Sequence, residues 1–514
     1  MKPIRLMSGF FTVGGWTLMS RILGFVRDAM ILAYLGTGPL YQAYVVAFRL
    51  PNMFRRFFAE GAFNMAFVPM FSKRLESGDD PDGFASDAFA GLASILIILT
   101  LIAMAAMPWL IYALASGFAG QEQFGLSVEF GRVAFPYVLF ISLAALLSGM
   151  LNAAGRFAAA AAAPVLLNIL LISAMATAAY LGGDIARALI WAIPVAGVLQ
   201  LALLWHAAKR ARFSIMPRRP RLTPDMRRLI KVAIPAALAG GVVQINLLVG
   251  QQVASYFDKA VGWLFAADRL YQLPLGVVGI AVGVVLLPDL SRRLQANDDA
   301  GAKLALSRAA EISLALTIPA AVALIVVPFP LVSVLFERGA ATVDDTAAIA
   351  TAVAIYGLGL PAFVLQKILQ PLFFAREDTR RPFHYAVVSM VVNAAVAIGL
   401  APFIGWIAPA IATTLAAWLM VALLRTGAAE YGDVARFDTR FRQRIWRLVL
   451  ASGLMGIALW FSNVALSPFL GLPWWRALAL TALIAIGMIS YFGIAHIIGA
   501  IKLSEIKGAF RRSA

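Results

Sequence analysis

Long apolar stretches, separated by short polar loops, recur from one end of the chain to the other. A helix needs about 20 mostly apolar residues to cross a bilayer, and fourteen stretches of the sequence are of that order. In chain order, the predicted spans are 6–35, 40–71, 86–115, 126–151, 158–182, 186–207, 229–256, 261–290, 305–335, 346–375, 382–404, 406–424, 446–467 and 474–500. The pattern predicts an all-α polytopic membrane protein with 14 transmembrane helices.

The composition agrees with a membrane protein, and the charge follows its predicted topology. Hydrophobic residues make up 61% of the 514 positions and charged residues 13%, with a net charge of +17. Lysine and arginine are concentrated in the loops on one side of the predicted spans, which is typical of cytoplasmic loops. The far-side loops hold only Arg187, Lys259, Arg338 and Arg476. We therefore expect both termini in the cytoplasm, and we expect no nucleic acid as a partner.

Several classes of function are excluded by residues that the sequence lacks. There is no cysteine, and the three histidines His206, His384 and His496 lie far apart, so we predict no metal site. The sequence contains no G-x-x-x-x-G-K-[ST] phosphate loop, which argues against ATP hydrolysis by this chain. The far-side loops are too short for the site of a membrane glycosyltransferase. We predict a protein that is not an enzyme and that binds no cofactor.

Two segments of the chain repeat each other at a nearly constant offset. The segment "VPMFSKRLESGDD" begins at Val68 and "LPDLSRRLQANDD" at Leu287, an offset of 219 residues. A further match follows at an offset of 225 residues, where Asn168 corresponds to Asn393. An even number of helices in each copy gives both copies the same orientation in the membrane. The matches therefore indicate a parallel repeat of six helices, an arrangement found in transporters.

The repeat divides the predicted protein into two six-helix lobes and an appended pair of helices. We predict an N-lobe at 1–210 with helices 1–6, a basic cytoplasmic linker at 211–228, and a C-lobe at 229–430 with helices 7–12. Residues 431–514 then form a cytoplasmic connector, helices 13 and 14, and a basic tail. The last two helices have no counterpart in the repeat.

Charged side chains interrupt three of the predicted spans. A charge at the bilayer centre costs about 2.5–3.5 kcal/mol on insertion scales, so such side chains normally face protein or water. The arginines are Arg21, Arg27, Arg49, Arg55, Arg56 and Arg269. The acids are Asp28, Glu60 and Asp268. Because the arginines outnumber the acids, pairing within these helices leaves positive charge uncompensated.

Two interpretations of these charges stay open. In the first, the charges form structural ion pairs, since helical spacing groups Arg49, Arg56 and Glu60 into one stripe and places Arg21 seven residues before Asp28. In the second, which the surplus of arginine favours, they line a cavity for an anionic substrate. Guanidinium groups bind phosphate oxygens through two hydrogen bonds and stay charged at any accessible pH. A pyrophosphate would suit such a site.

The charged motifs resemble those of one known family. The segments "SRILGFVRDAMIL" (20–32), "RLPNMFRRFFAEGAF" (49–63) and "AADRLYQLPLGVVGIAVGVVLLPDLS" (266–291) are similar to the MurJ (MviN) lipid II flippases of bacteria. That family belongs to the multidrug/oligosaccharidyl-lipid/polysaccharide exporter superfamily, and the resemblance covers essentially the whole chain. It implies a multi-pass protein of the bacterial cytoplasmic (inner) membrane that serves peptidoglycan synthesis.

The resemblance also implies a substrate and a mechanism. Lipid II, an undecaprenyl-pyrophosphate-linked disaccharide pentapeptide, would move from the cytoplasmic to the periplasmic leaflet by alternating access of two lobes. The lobes would enclose a V-shaped cationic cavity, and helices 13 and 14 would form a groove for the lipid tail. Cell-wall synthesis proteins are further candidate partners. The resemblance does not give the oligomeric state.

Matched by motif, the family's cavity arginines give a specific set of site residues. The implied substrate-binding residues are Arg21, Arg27, Arg55 and Arg269. The supporting charges are Asp28, Arg49, Arg56, Glu60 and Asp268. The resemblance favours Arg55 in the cavity over Arg56, which helical spacing places with Glu60. The chain departs from the family at Gln42, where many members have an aspartate, and helix 7 has no acid before Asp258, so we expect no sodium site.

Two other functions compete with lipid II transport. One is export of drugs or of another polyprenyl lipid by a member of the same superfamily. Drugs of that class are usually cationic, and a cationic cavity would repel them. The other is a scaffold that recruits cell-wall enzymes without transporting anything. Neutralising the cavity arginines would leave a scaffold working and would stop a flippase.

Overall fold

The regular structure of the chain is helical throughout the described residues. The computed structural model describes residues 6–55, 62–216, 218–281 and 286–501, with side chains described outside 6–12, 62–65, 234–247, 277–281 and 287–288. The first ten helices are α1 Leu6–Leu35, α2 Pro39–Arg55, α3 Ala62–Ser77, α4 Pro81–Ala105, α5 Met107–Leu114, α6 Glu122–Ala134, α7 Tyr137–Ala153, α8 Ala158–Leu181, α9 Ile185–Arg210 and α10 Pro224–Ala254. The next nine are α11 Ala260–Ala281, α12 Leu287–Gln295, α13 Asp299–Val326, α14 Pro328–Phe336, α15 Val343–Phe374, α16 Arg380–Ile404, α17 Ala408–Ala428, α18 Thr439–Leu470 and α19 Arg476–Ile497.

Within the described residues, each predicted span overlaps one of these helices or two consecutive ones. The span predicted at 126–151, for example, is divided into α6 and α7 at Pro136. The break has a local cause, because proline lacks the backbone N–H that would continue the helical ladder. Within the described ranges, nine helical segments are long and apolar enough to cross a membrane. The arginine-bearing helices α1, α2 and α11 are not among them.

Contacts between helices divide the chain into two compact units. Unit 1 consists of Met1–Gly262 with Gly339–Ala341, and unit 2 consists of Trp263–Arg338 with Thr342–Ala514. In unit 1, α8 packs against α1 and α9, α7 against α9, α2 against α6, and α3 against α10. In unit 2, α15 packs against α13 and α17, and α18 against α13 and α19. The lobe boundaries drawn from the repeat describe sequence similarity rather than packing, and they stay a prediction.

The repeated sequence motif forms the same ion pair in each unit. In unit 1, an Arg74 Nη1 lies 3.5 Å from an oxygen of Asp79. In unit 2, at the same offset of 219 residues, Nη1 of Arg293 lies 3.1 Å from an oxygen of Asp298. The Asp298 carboxylate also accepts the Gly301 N–H at the start of α13. The acids that follow α3 and α12 therefore stabilise a turn and a helix N-terminus, as helix-capping acids do.

In unit 2, contacts with Tyr431 stabilise the polar turn between α15 and α16. The hydroxyl of Tyr431 donates to Asp378 over 3.0 Å, and the guanidinium of Arg376 lies 4.3 Å from the centre of the Tyr431 ring. Burial, and the hydrogen bond to Asp378, raise the pKa of Tyr431 to about 12. Burial alone would raise the pKa of Asp378, but the donated N–H of Arg381 and the Tyr431 hydroxyl bring it below its ordinary value. The phenol therefore stays a donor throughout the physiological range.

A buried ionic network fixes α18 against α13 within unit 2. Glu311 on α13 is 7% exposed and accepts hydrogen bonds from Arg308 and from Arg444, which is 8% exposed. Nη2 of Arg440 lies 3.4 Å from the same carboxylate. Arg308 also donates to Asp438, the residue that caps α18, over 2.5 Å. One buried acid thus compensates guanidinium groups from two helices.

We predict that Glu311→Gln destabilises unit 2 strongly. Removing one partner of a buried ion pair costs about 3–5 kcal/mol, because the opposite charge stays buried without compensation. Thermal unfolding of the purified protein measures the effect. Glu430→Gln is the matched control, because Glu430 pairs with Arg381 through a side chain that is 67% exposed. Such surface pairs contribute about 0–1 kcal/mol. Equal unfolding temperatures for the two variants would contradict the structural role of the network.

Candidate functional site

Arg27 on α1 is buried inside unit 1 and is held by two side chains. Its Nε and Nη2 donate to one oxygen of Asp28 over 2.9 and 2.6 Å. Its Nη1 donates to the Asn168 Oδ1 of α8 over 2.9 Å. The Asn168 amide in turn donates to the carbonyl of Ser20 over 2.9 Å. Arg27 is 8% exposed. It joins α1 to α8 through Asn168, and Asp28 compensates most of its charge.

Arg21, less than two turns earlier on the same helix, lies in a different environment. Its side chain is exposed, and it makes no hydrogen bond or ion pair with any part of the chain that the structure describes. Asp28, which the spacing along α1 had made a candidate partner of Arg21, pairs with Arg27 instead. Both arginines belong to the continuous helix α1, Leu6–Leu35, and they project from it into different surroundings. Arg21 is therefore available to a ligand.

The arginines of α2 bind neutral side chains. Nη1 of Arg49 donates to Oε1 of Gln251 on α10 over 2.5 Å. Arg55, at the end of α2, donates to Oδ1 of Asn52 one turn earlier, over 3.2 Å from Nε and 2.9 Å from Nη2. The amide oxygens orient both guanidinium groups. The predicted supporting charges Arg56 and Glu60 lie outside the described residues.

In unit 2, Arg269 and Asp268 have separate contacts on α11. The guanidinium carbon of Arg269 lies 4.4 Å from the centre of the Phe265 ring, one turn earlier. A cation in this position is attracted to the face of the ring. The Asp268 carboxylate accepts a hydrogen bond from the Gln272 amide, one turn later. The ring orients the guanidinium of Arg269, and the amide orients the carboxylate of Asp268.

Gln42 on α2 is buried without partners for its amide. The residue is 0% exposed, and neither Oε1 nor Nε2 has a hydrogen-bond partner among the described residues. A buried polar group without a partner costs about 1–3 kcal/mol. The sequence marks this position only as a departure from the family pattern, and the structure adds that the departure places an unsatisfied amide in the interior of unit 1.

Unit 1 contains a polar cavity beside Arg55. Its volume is 460 Å³. The residues that line it are Val13, Arg55, Ile141, Ala144, Ala145, Ser148, Asn152, Phe157, Ala160, Ala161, Ala163, Pro164, Gln200 and Leu204. Asn152 and Gln200 are not among the site residues predicted from the sequence, although each is a lone amide within or at the end of an apolar span. Amides are rare in such spans, and this could have identified both residues from the sequence, because polar side chains inside membrane spans normally serve a function.

Unit 2 contains an apolar pocket of 350 Å³ among α13, α14, α18 and α19. Its walls include Leu316 and Ala320 of α13, Leu459 of α18, and Leu483 and Met488 of α19. Only the hydroxyl of Tyr491 adds a polar side-chain group to this lining, and it donates to the carbonyl of Ala315. The pocket therefore suits a hydrocarbon.

We predict that Asn168→Leu lowers the stability of unit 1. The substitution removes an acceptor from the buried Arg27 guanidinium, and hydrogen bonds to charged groups contribute about 1.5–3 kcal/mol. Thermal unfolding is again the measurement. Ile169→Ala, at the next position of α8 and 45% exposed, is the control and should have little effect. An Asn168→Leu variant as stable as wild type would mean that Arg27 does not depend on this amide.

We predict that Gln42→Met raises the unfolding temperature. Methionine has a similar volume and carries no strong hydrogen-bonding group, so the cost of the unsatisfied amide, about 1–3 kcal/mol, is relieved. Gln251→Met is the matched control, because Gln251 is also buried but accepts from Arg49. That variant should lose stability. Destabilisation by Gln42→Met would show that its amide has a partner in the folded protein.

Comparison with known families and relatives gives a consistent result over nearly the whole chain. The family profile described as "Lipid II flippase MurJ" matches residues 31–472. A protein of Rhizobium meliloti (strain 1021), named "Probable lipid II flippase MurJ", is 45% identical and covers 99% of this chain and 97% of its own length. A protein of Burkholderia cenocepacia, named "Lipid II flippase MurJ", is 32% identical over 96% of this chain and 98% of its own length.

Solved structures with similar folds agree with the sequence relatives. A structure described as "Lipid II flippase MurJ, inward closed conformation" aligns with a TM-score of 0.79 and 25% identity, over 95% of this chain and 98% of that one. An inward-facing multidrug transporter of the MATE family aligns with a TM-score of 0.68 and 17% identity, over 80% of this chain and 95% of that one. The second match shows a shared fold alone.

Proposed function

The chain belongs to the MurJ family of lipid II flippases, and we propose that it moves lipid II by binding the pyrophosphate through arginines in its membrane helices. It is a multi-pass protein of the bacterial inner membrane and serves peptidoglycan synthesis. The substrate links an undecaprenyl tail to a disaccharide pentapeptide through the pyrophosphate. The headgroup is polar and anionic, so it needs a hydrophilic route past the hydrocarbon of the bilayer.

The proposed topology has fourteen crossings with both termini in the cytoplasm. The distribution of basic residues supports it, since the predicted far-side loops hold so few of the 43 lysines and arginines. Two six-helix lobes alternate the access of the substrate site between the two leaflets in this proposal, and α18 and α19 are the appended pair. Fixed binding residues with moving lobes are the common device of transporters built from repeats.

The observation that carries the proposal is the environment of Arg21. Its guanidinium is charged, exposed, and without an ion-pair partner in the described part of the chain, on a helix whose other two charges, Arg27 and Asp28, pair with each other. Such a charge in a membrane span normally serves a substrate or ion pathway. Arginine also presents its donors in a planar fork that matches phosphate oxygens, which a lysine does not. We propose that Arg21 makes the primary contact with the pyrophosphate.

The other arginines have supporting roles in the proposal. Arg55 donates to the Asn52 amide and the Arg269 guanidinium lies over the Phe265 ring, and in this proposal each contributes to binding the anion. Arg27 has much of its charge compensated by Asp28, and it positions α1 through Asn168 as well as adding positive potential. Arg49, Asp28 and Asp268 orient their neighbours.

The apolar pocket of unit 2 supports a place for the lipid tail. Leucine, alanine and methionine side chains from α13, α18 and α19 form its walls. Moving the tail from the bilayer into this pocket gains no hydrophobic free energy, because lipid is equally apolar. The tail is therefore stabilised there only where it packs more closely against the protein than against lipid. We propose that the pocket guides the tail while the arginines hold the headgroup.

Multidrug export is the alternative that the fold allows, since MATE transporters share it. Arg21 argues against it, because a guanidinium group with no counter-charge in the described part of the chain repels a cationic drug. A scaffold without transport is distinguished by experiment, because its function would survive neutralisation of these arginines.

We predict that Arg21→Ala and Arg269→Ala each abolish support of growth when the variant is the sole copy, while the protein inserts at near-normal abundance. The physical reason is the loss of a charge that binds the pyrophosphate. Lysine at either position should restore only part of the activity, because the charge returns without the planar fork. A leaflet assay with labelled lipid-linked precursor in depleted cells measures the transport itself.

Arg442→Ala is the matched control for these substitutions. Arg442 is exposed at the start of α18, outside the proposed site, so its loss should leave transport unchanged. Normal transport by Arg21→Ala and Arg269→Ala would contradict the arginine site. Full activity of both lysine variants would reduce the site to a positive field without bidentate recognition.

A further inference from the structure

The polar cavity of unit 1 lies beside Arg55, and a run of six alanines forms much of its wall. Residues 158–163 are all alanine, at the start of α8. Three of them, Ala160, Ala161 and Ala163, line the cavity, together with Ala144 and Ala145 of α7. A side chain that ends at Cβ leaves space between packed helices that a leucine would fill. The cavity thus follows directly from the alanine run.

A buried hydrogen-bond acceptor faces this space. Gln200 on α9 is 1% exposed, and its Nε2 donates to the carbonyl of Ala163 over 2.7 Å. Its Oε1 has no hydrogen-bond partner among the described residues. Buried acceptors of native proteins are almost always satisfied, so an orphaned one in a cavity wall indicates that a donor binds there. The donor must be an N–H or an O–H group.

The rest of the lining narrows the chemistry of the ligand. Ser148 and Asn152 add a hydroxyl and an amide, each of which can donate or accept a hydrogen bond. The alanine wall is apolar. The cavity volume of 460 Å³ falls within the range of about 300–1,000 Å³ of small-molecule sites. A saccharide combines these features, because it carries hydroxyl and amide groups around its edge and C–H groups on its faces.

The position of Arg55 connects this cavity to the proposed substrate. Its guanidinium lines the cavity and donates to Oδ1 of Asn52 over 2.9 Å. In lipid II the saccharide is joined directly to the pyrophosphate. A group bound in the cavity would therefore place its pyrophosphate next to Arg55. The cavity lies where α7 ends and α8 begins, the end that the proposed topology assigns to the cytoplasmic side.

We propose that this cavity is a saccharide subsite, in which Gln200, Asn152 and Ser148 bind hydroxyl or amide groups of the sugar attached to the pyrophosphate. The inference rests on the proposed function, since it assigns one part of the same substrate to a place in unit 1. It gives the chain a means of distinguishing the complete precursor from a polyprenyl pyrophosphate that lacks the sugars. The arginines recognise both lipids equally, and the cavity recognises only the complete one.

The test compares the binding of lipid II and of undecaprenyl pyrophosphate to the full-length protein in lipid nanodiscs. Ala161→Leu fills the cavity and changes no charge. We expect it to weaken lipid II binding about tenfold, which corresponds to about 1.4 kcal/mol, and to leave undecaprenyl pyrophosphate binding unchanged. Ala158→Leu is the matched control, because Ala158 belongs to the same alanine run, is exposed, and does not line the cavity. It should alter neither affinity.

A second variant guards against an effect of Ala161→Leu on folding. Gln200→Met keeps the volume of the side chain and removes its hydrogen-bonding groups, and it should weaken lipid II binding selectively as well. Wild-type lipid II affinity in both variants would overturn the saccharide subsite. An equal loss of affinity for both lipids would also overturn it, because the cavity would then not recognise the sugar.

Failure of the proposed function gives a different pattern. Arg21→Ala should weaken the binding of both lipids, since both carry the pyrophosphate. Unchanged binding of both lipids by Arg21→Ala, with a selective loss in Ala161→Leu, would retain the saccharide subsite and reject the arginine site. The two proposals are thus tested separately by the same pair of ligands.

Discussion

A guanidinium group inside a bilayer keeps its charge, because arginine is not deprotonated at any accessible pH. The protein must therefore compensate each membrane arginine with an acid, with neutral hydrogen-bond acceptors, or with a ligand. The first two solutions occur in the described chain. Arg27 has an acid, Asp28, and the bonds of Arg49 to Gln251 and of Arg55 to Asn52 use neutral amides. Arg21 has neither kind of partner among the described residues, and we propose that the substrate supplies its counter-charge.

The contrast between Arg27 and Arg21 shows how one helix serves structure and binding together. Arg27 is enclosed by Asp28 and Asn168, and these contacts fix α1 on α8. A helix held in this way presents Arg21 at a defined position without using a partner for Arg21 itself. A helix fixed in this way favours binding of the anion, since the backbone of α1 needs no further ordering when the ligand arrives.

Much of the fold could be predicted from the sequence, because a membrane span has a simple requirement of length and hydropathy. The breaks within spans, such as the one at Pro136, also have a local cause. The partners of the charges could not be predicted in the same way. The spacing along α1 made Asp28 a candidate partner of Arg21. In the structure, Arg27 binds its neighbour Asp28 instead and also reaches Asn168 on another helix. The polar cavity was also missed, because it depends on how helices distant in sequence pack around the alanine run.

In the proposed site, the pyrophosphate of lipid II is the counter-ion of Arg21. A structure of the full-length protein with bound lipid II, determined in a lipid nanodisc, would reveal this contact. The account predicts phosphate oxygens at hydrogen-bond distance, about 2.7–2.9 Å, from the Arg21 guanidinium, with Arg27 still bound to Asp28 and Asn168. A bound headgroup whose phosphates contact neither Arg21 nor the other proposed arginines would contradict it.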